Sequence, residues 1–263
     1  MFEWGSRTYI FGVLNVTPDS FSGDGVMDAS MALSHALAMR AEGADVIDVG
    51  GESTRPGHTP VQAEEELRRI EPVLAALRER GLAVSIDTRK ATVARRAIEL
   101  GACIVNDVSG LADPAMLGVI AEAKVQAVLM DDRDVRGADD PVGLVRDHLA
   151  ALVERAARGG IARERVIVDP GFGFGKTRRE NFILLRELAR LRELGRPILV
   201  GTSRKSSIGG ALGGLPPEER VEGTAATVAI AIANGADAVR VHDVREMARV
   251  ARTADAIARA SAG

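Results

Sequence analysis

Short runs rich in Val and Ile alternate with amphipathic stretches from one end of the chain to the other. The apolar runs are Tyr9–Asn15, Asp45–Val49, Ala83–Asp87, Cys103–Asn106, Ala127–Met130, Arg165–Asp169, Pro197–Gly201 and Ala238–His242. They are nearly continuous in hydrophobicity rather than alternating, which is the pattern of strands covered on both faces in a parallel sheet. Between them, Leu67, Ile70, Val73, Leu74 and Leu77 recur at helical spacing, as do Met247, Val250, Ala251, Ala254 and Ile257 near the C-terminus. Ala32–Ala41, Thr92–Leu100, Pro114–Ala123, Gly143–Arg158, Asn181–Leu194 and Glu222–Ala233 fill the remaining helical slots. Gly43, Gly101, Gly195 and Gly235 stand where helices should stop, and Lys124–Val125 does this once without glycine.

Eight strand–helix units with no composition break predict a single domain over residues 1–263, an α/β fold of the (β/α)8 TIM-barrel type. An open doubly wound sheet shares the alternation, but eight regular units favour closure. An apolar content of 46% with 27% charged residues excludes a disordered chain. The balance of 34 Lys and Arg against 37 Asp and Glu, a net charge of −3, argues against a nucleic-acid partner but leaves room for a small anionic substrate. Cys103 is alone, so neither an intrachain disulfide nor a cysteine zinc cluster is expected. The longest apolar stretches fall short of the roughly 20 residues of a membrane span. Met1–Arg7 shows no signal-peptide pattern, so the expected setting is the reducing cytoplasm, with no membrane association.

In such a barrel the active site forms at the C-terminal ends of the strands, and every strand here ends in polar residues. Arg55, Arg240 and His242, with the amides of glycine-rich loops, suit a phosphate or pyrophosphate. Asn15 offers a neutral oxygen ligand, better matched to a Mg2+ shared with a diphosphate than to an all-protein cage. Asp87, Asn106, Asp169 and Lys205 form a mixed donor and acceptor set for a flat heterocycle with an amino-amide edge. Asp107 and Asp243 are equally well read as helix caps. Gly171–Thr177 ends in Gly-Lys-Thr, yet the nucleotide-binding spacing requires glycine where Pro170 stands. His35 and His148 fall in helical patterns and read as structural, whereas His58 lies in a loop. No His or Cys pairs stand at zinc spacing, and no serine has an adjacent base.

The segments NVTPDSF (Asn15–Phe21), GGESTRPG (Gly50–Gly57), SIDT (Ser85–Thr88), NDVSG (Asn106–Gly110), DPGFGFGKT (Asp169–Thr177), SRKS (Ser203–Ser206) and RVHDV (Arg240–Val244) resemble the signatures of the dihydropteroate synthases, in order and spacing, across the whole chain. The resemblance implies a folate-pathway transferase, a target of sulfonamides. It would join 6-hydroxymethyl-7,8-dihydropterin diphosphate to para-aminobenzoate with loss of pyrophosphate. By the same resemblance Asp87, Asn106, Asp169 and Lys205 would hold the pterin, Met130 would line its pocket and Arg240 would stack on it. Asn15 would bind Mg2+, while Arg55 and His242 would assist the diphosphate. Phe21, Thr54, Pro56, Phe174 and Ser206 would frame the aminobenzoate site. Asn15, Asp87, Lys205, Arg240 and His242 are the residues expected to carry catalysis.

Two segments depart from the family pattern. A His-Met or His-Asn pair usually follows the Leu-Met of strand five, but here Leu129-Met130 runs into Asp131-Asp132-Arg133-Asp134. Carboxylates there would repel a diphosphate or recruit metal, and the expectation is that they point to solvent. After Phe21 the chain reads Ser22-Gly23-Asp24-Gly25, with the aspartate shifted by one. These departures leave open a pterin-binding homologue with altered chemistry, and a methyltetrahydrofolate–corrinoid methyltransferase domain is the other alternative. Glu222–Ala236 is small and apolar nearly all round, so it is either deeply buried or packed on another subunit, and a homodimer is expected.

Overall fold

The computed structural model describes residues 2–17, 29–52 and 60–260. Eight parallel strands form its centre: β1 Tyr9–Asn15, β2 Val46–Gly50, β3 Val84–Asp87, β4 Ile104–Asp107, β5 Gln126–Met130, β6 Val166–Asp169, β7 Leu199–Val200 and β8 Ala238–Val241. They pair in the order β6-β5-β4-β3-β2-β1-β8-β7. A bridge between Val168 and Ile198 joins β6 to the start of β7 and closes the barrel. Around it lie α1 Ala29–Glu42, α2 Ala63–Glu79, α3 Ala91–Glu99, α4 Met116–Ala123, α5 Pro141–Arg158, α6 Arg178–Arg186, α7 Ser206–Ala211, α8 Val221–Ala233 and α9 Val244–Ala258.

Strand β7 is shorter than the pattern of Pro197–Gly201 suggests. Pro197 has no amide to donate, and the Ile198 amide goes to Asp237 Oδ2 at 3.0 Å instead of to a ladder partner. The helix expected over 181–194 breaks into α6 and a 3-10 segment, Leu188–Leu194. The cause is Asn234, whose Nδ2 donates to the carbonyls of Leu185 and Arg186 at 2.8 and 3.3 Å and takes acceptors a continuous helix would use. Helix α4 ends at Lys124 in the left-handed conformation, φ 53°, as expected of a stop without glycine.

The barrel interior has two layers. Tyr9, Phe11, Val46, Ile104, Val128, Ile167, Leu199 and Ala238 form the lower, apolar layer, and Phe2 and Trp4 pack beneath it. Because strand side chains alternate, the residues two positions further along return to the interior one pleat higher. Those residues are Val13, Asp48, Asn106, Met130, Asp169, Gly201 and Arg240. Hydrophobic packing therefore fixes the level at which the polar residues face one another.

Candidate active site

At the upper layer, Arg240 crosses the barrel from β8. Its Nε donates to Asp48 Oδ2 at 2.6 Å and its Nη2 to Asp87 Oδ2 at 2.7 Å. Asn106 Nδ2 donates to the same Asp48 oxygen at 3.2 Å. Register places Asp87 beside Asn106 and Met130 beside Asp169 across neighbouring strands. Asp48 Oδ1, Asp87 Oδ1 and Ser85 Oγ are buried and have no hydrogen-bond partner among the described residues. Buried polar atoms are normally satisfied, so these open valences mark a place built to receive a polar ligand.

The facing wall is the loop after β6. Gly171 donates its amide to Asp169 Oδ1 at 2.7 Å. Lys205 Nζ donates to the Phe172 carbonyl and stands 4.7 Å from the centre of the Phe174 ring. Gly173 makes room for that lysine, because a Cβ there would lie 2.9 Å from Lys205 Cδ. Ser203 Oγ accepts from the His242 amide at 3.1 Å and meets the ring Nδ1 at 2.9 Å. Asn15 ends β1 beside Gly50, where a Cβ would lie 3.8 Å from Asn15 Oδ1.

Burial governs the charges here. It raises Asp87 to about 7, helped by Asp48 and opposed by Arg240. It also raises Asp169 against the pull of Lys205, and it lowers Lys205 to about 8 against the pull of Asp169. Burial works against the Arg240 cation too, but Asp48 and Asp87 outweigh it and hold its pKa above the ordinary value. The result is a largely buried ring of carboxylate, amide, ammonium and guanidinium groups at the upper end of the barrel.

Of the residues expected from sequence, Asn15, Asp87, Asn106, Met130, Asp169, Lys205, Arg240 and His242 gather at this mouth, and Phe174 packs at its edge. Ser206 opens α7 and is exposed. Phe21, Thr54, Arg55, Pro56 and His58 lie outside the described residues, as does the Ser22–Gly25 departure. Asp107 accepts from the Ser109 and Leu111 amides, each at 2.8 Å, and Asp243 pairs with Arg204, so both serve their loops. Asp48, absent from the residues expected from sequence, sits inside an apolar run, and an acid at mid-strand in a doubly covered sheet is the signal that marks it.

The segment after β5 differs in part from the expectation that its carboxylates point to solvent. Asp132, Asp134, Asp139 and Asp140 are exposed as expected, but Asp131 is fully buried. Its carboxylate is held by Lys176 Nζ at 2.9 Å, His148 Nδ1 at 2.6 Å and Arg133 Nε at 3.2 Å. Lys176 of the Gly-Lys-Thr run is thus committed to an internal ion pair, in keeping with the failure of the nucleotide-binding spacing.

Residues 11–242 match the family described as pterin binding enzyme. The dihydropteroate synthase of Synechocystis sp. is 46% identical over 98% of this chain and 92% of its own. The chain belongs to the dihydropteroate synthase family. Among solved dihydropteroate synthases, that of Clostridium difficile in the presence of pteroic acid superposes with a TM-score of 0.94 at 47% identity, covering 98% of this chain and 99% of the other. The Xanthomonas albilineans dihydropteroate synthase with 4-aminobenzoic acid gives 0.92 at 43% identity, covering 97% and 94%. Membership of the dihydropteroate synthases makes the chain a transferase enzyme.

Proposed function

We propose that this chain condenses 6-hydroxymethyl-7,8-dihydropterin diphosphate with para-aminobenzoate, giving 7,8-dihydropteroate and pyrophosphate. Besides the family, the observation that carries this reading is the ring of buried Asp87, Asn106 and Asp169 with half-buried Lys205 and Arg240, in which Asp87 Oδ1 and the neighbouring Asp48 Oδ1 have no partner among the described residues. A pterin presents adjacent N–H donors and a carbonyl on one edge, which a carboxylate and a lysine satisfy together. The Arg240 guanidinium is held from two sides by Asp48 and Asp87, so its flat face is oriented before a ring arrives. Met130, 2% exposed, supplies an apolar wall, and Phe174 flanks the way to Ser206, where the aminobenzoate is assigned together with Phe21, Thr54 and Pro56.

No protein nucleophile is required. As the C–O bond to the diphosphate breaks, positive charge develops on the pterin methylene, and the aromatic amine attacks it and gives up a proton. Positioning and fixed charge supply the rate. Arg55, Arg240 and His242 are assigned to the departing diphosphate. Asn15 fits a Mg2+ held jointly with that diphosphate. Its carboxamide offers one neutral oxygen, and no cluster of three acidic, His or Cys ligands exists among the described residues. When bound, the ion would neutralise the leaving group.

We also assign a homodimer. Helix α8 buries Thr224, Thr227, Val228, Ala231 and Ile232 but leaves Ile230 48% exposed, beside exposed Ala226 and Ala233. Sedimentation would show the dimer directly. No described helix is long and apolar enough to cross a membrane, and the assigned setting is the cytoplasm. The deciding experiment is pyrophosphate release with Mg2+ and the pterin diphosphate, with and without para-aminobenzoate. Amine-dependent release with dihydropteroate formed supports the synthase. Tight pterin binding without release would return the pterin-binding homologue, which has lost its strand-five argument now that Asp131 is seen to be paired.

A further inference from the structure

The loop after β6 has no regular hydrogen-bond ladder, yet it carries two of the contacts that set the pterin site, the Gly171 amide on Asp169 and the Phe172 carbonyl on Lys205. What holds it is the segment after β5. Lys176 Nζ is completely buried and has three acceptors: Asp131 Oδ2 at 2.9 Å, the Phe174 carbonyl at 2.9 Å and the Asp131 carbonyl at 3.3 Å. The Val135 amide donates to the Gly175 carbonyl at 2.9 Å, and the Asp131 amide to the Asp169 carbonyl at 2.9 Å. The two segments touch so closely that a Cβ on Gly171 would lie 1.8 Å from the Asp131 carbonyl oxygen, and one on Gly175 2.2 Å from that of Arg133. His148 and Arg133 hold the remaining Asp131 oxygen.

We propose that Asp131 is a positioning residue for the pterin site, acting through Lys176 to fix the 170–176 loop and thereby Asp169 and Lys205. This rests on the pterin reading given above. The carboxylate that departs from the family pattern is then neither a repellent of diphosphate nor a surface ornament. It is the counter-charge that allows a lysine to be buried beneath the loop, since a buried ammonium without one is costly.

The test compares wild type with Asp131→Asn and with the double variant Asp131→Asn/Lys176→Met, which removes both charges and keeps the fold if the single variant does not. Amide hydrogen exchange over 170–177 reads the local effect without any ligand. Equilibrium binding of 6-hydroxymethylpterin and the KM for para-aminobenzoate read the site. The expected result is faster exchange over 170–177 and pterin binding weaker by roughly 10- to 100-fold, with a smaller rise in the aminobenzoate KM, since Phe174 belongs to the same loop. Unaltered exchange overturns the proposal, and so does faster exchange with wild-type pterin affinity. Wild type that fails to bind the pterin would instead overturn the pterin reading, with the exchange data still reporting on the loop.

Discussion

Replacing Asp87 with Asn should stabilise the protein at alkaline pH while damaging its site. The carboxyl is buried beside Asp48, with Oδ1 unpartnered among the described residues and Arg240 its main compensating charge, and its pKa rises from 3.8 to about 7. A carboxyl whose folded pKa is raised binds more protons folded than unfolded between those two values. Wild-type stability therefore falls as pH rises from about 4 to about 7. At 1.36 kcal/mol per pH unit the full difference is about 4 kcal/mol, and sharing Arg240 with Asp48 makes that an upper bound. The Asn variant lacks this dependence and still accepts the Arg240 hydrogen bond. Urea denaturation at pH 5, 6, 7 and 8 would show the variant gaining on wild type by at most about 3 kcal/mol across the series, since about two pH units of the change lie above pH 5. Binding of 6-hydroxymethylpterin should meanwhile weaken at least tenfold. A stability gap that does not change with pH, or that closes as pH rises, would refute the reasoning.

Asp169→Asn and Lys205→Ala should each lower turnover by a factor corresponding to about 2.7–4 kcal/mol in the barrier, with native circular dichroism; near-normal amine-dependent pyrophosphate release in either would sink the pterin assignment. Gly171→Ala places a Cβ 1.8 Å from the Asp131 carbonyl oxygen at φ +68°, so the loop must move; its melting temperature should drop and pterin affinity with it, and an unchanged pair of values would show that the contact is loose. Asn15→Ala should raise the Mg2+ concentration needed for half-maximal rate without altering Mg2+-free binding of 6-hydroxymethylpterin, as titration of each variant would show.

The barrel was legible because its strands are apolar runs of a kind that only a doubly covered parallel sheet requires, and because glycines mark the helix ends. Its interruptions were not. Asn234 ends α6 from 48 residues away in sequence by capturing the Arg186 carbonyl, and nothing local announces that. Helix α7, with the sequence SSIGGA, lacks periodicity and is made of weak helix formers. In the site, Asp87, Asn106, Asp169, Lys205 and Arg240 could be read from their places at strand ends. Asp48 could not be separated from the apolar run that contains it. Asp131 looked like one more surface acid because its partners, His148 and Lys176, come from other elements.

The two-layer interior also bears on how the barrel closes. Strands β2, β4, β6 and β8 each carry an apolar residue and, two positions on, a polar one, so the acidic side chains act as a check on alignment during assembly. A slip of one residue in β2 would turn Asp48 outward into the apolar layer between sheet and helices, away from Arg240 and Asn106. Breaking a buried pair in this way costs about 3–5 kcal/mol, a large share of the margin on which a domain of this size folds. A chain with Asp48 and Asp87 both replaced by Val should therefore return less correctly closed barrel on refolding, whatever its stability once closed. The groups that prepare the site for chemistry would thus have acted earlier, by rejecting wrongly aligned barrels.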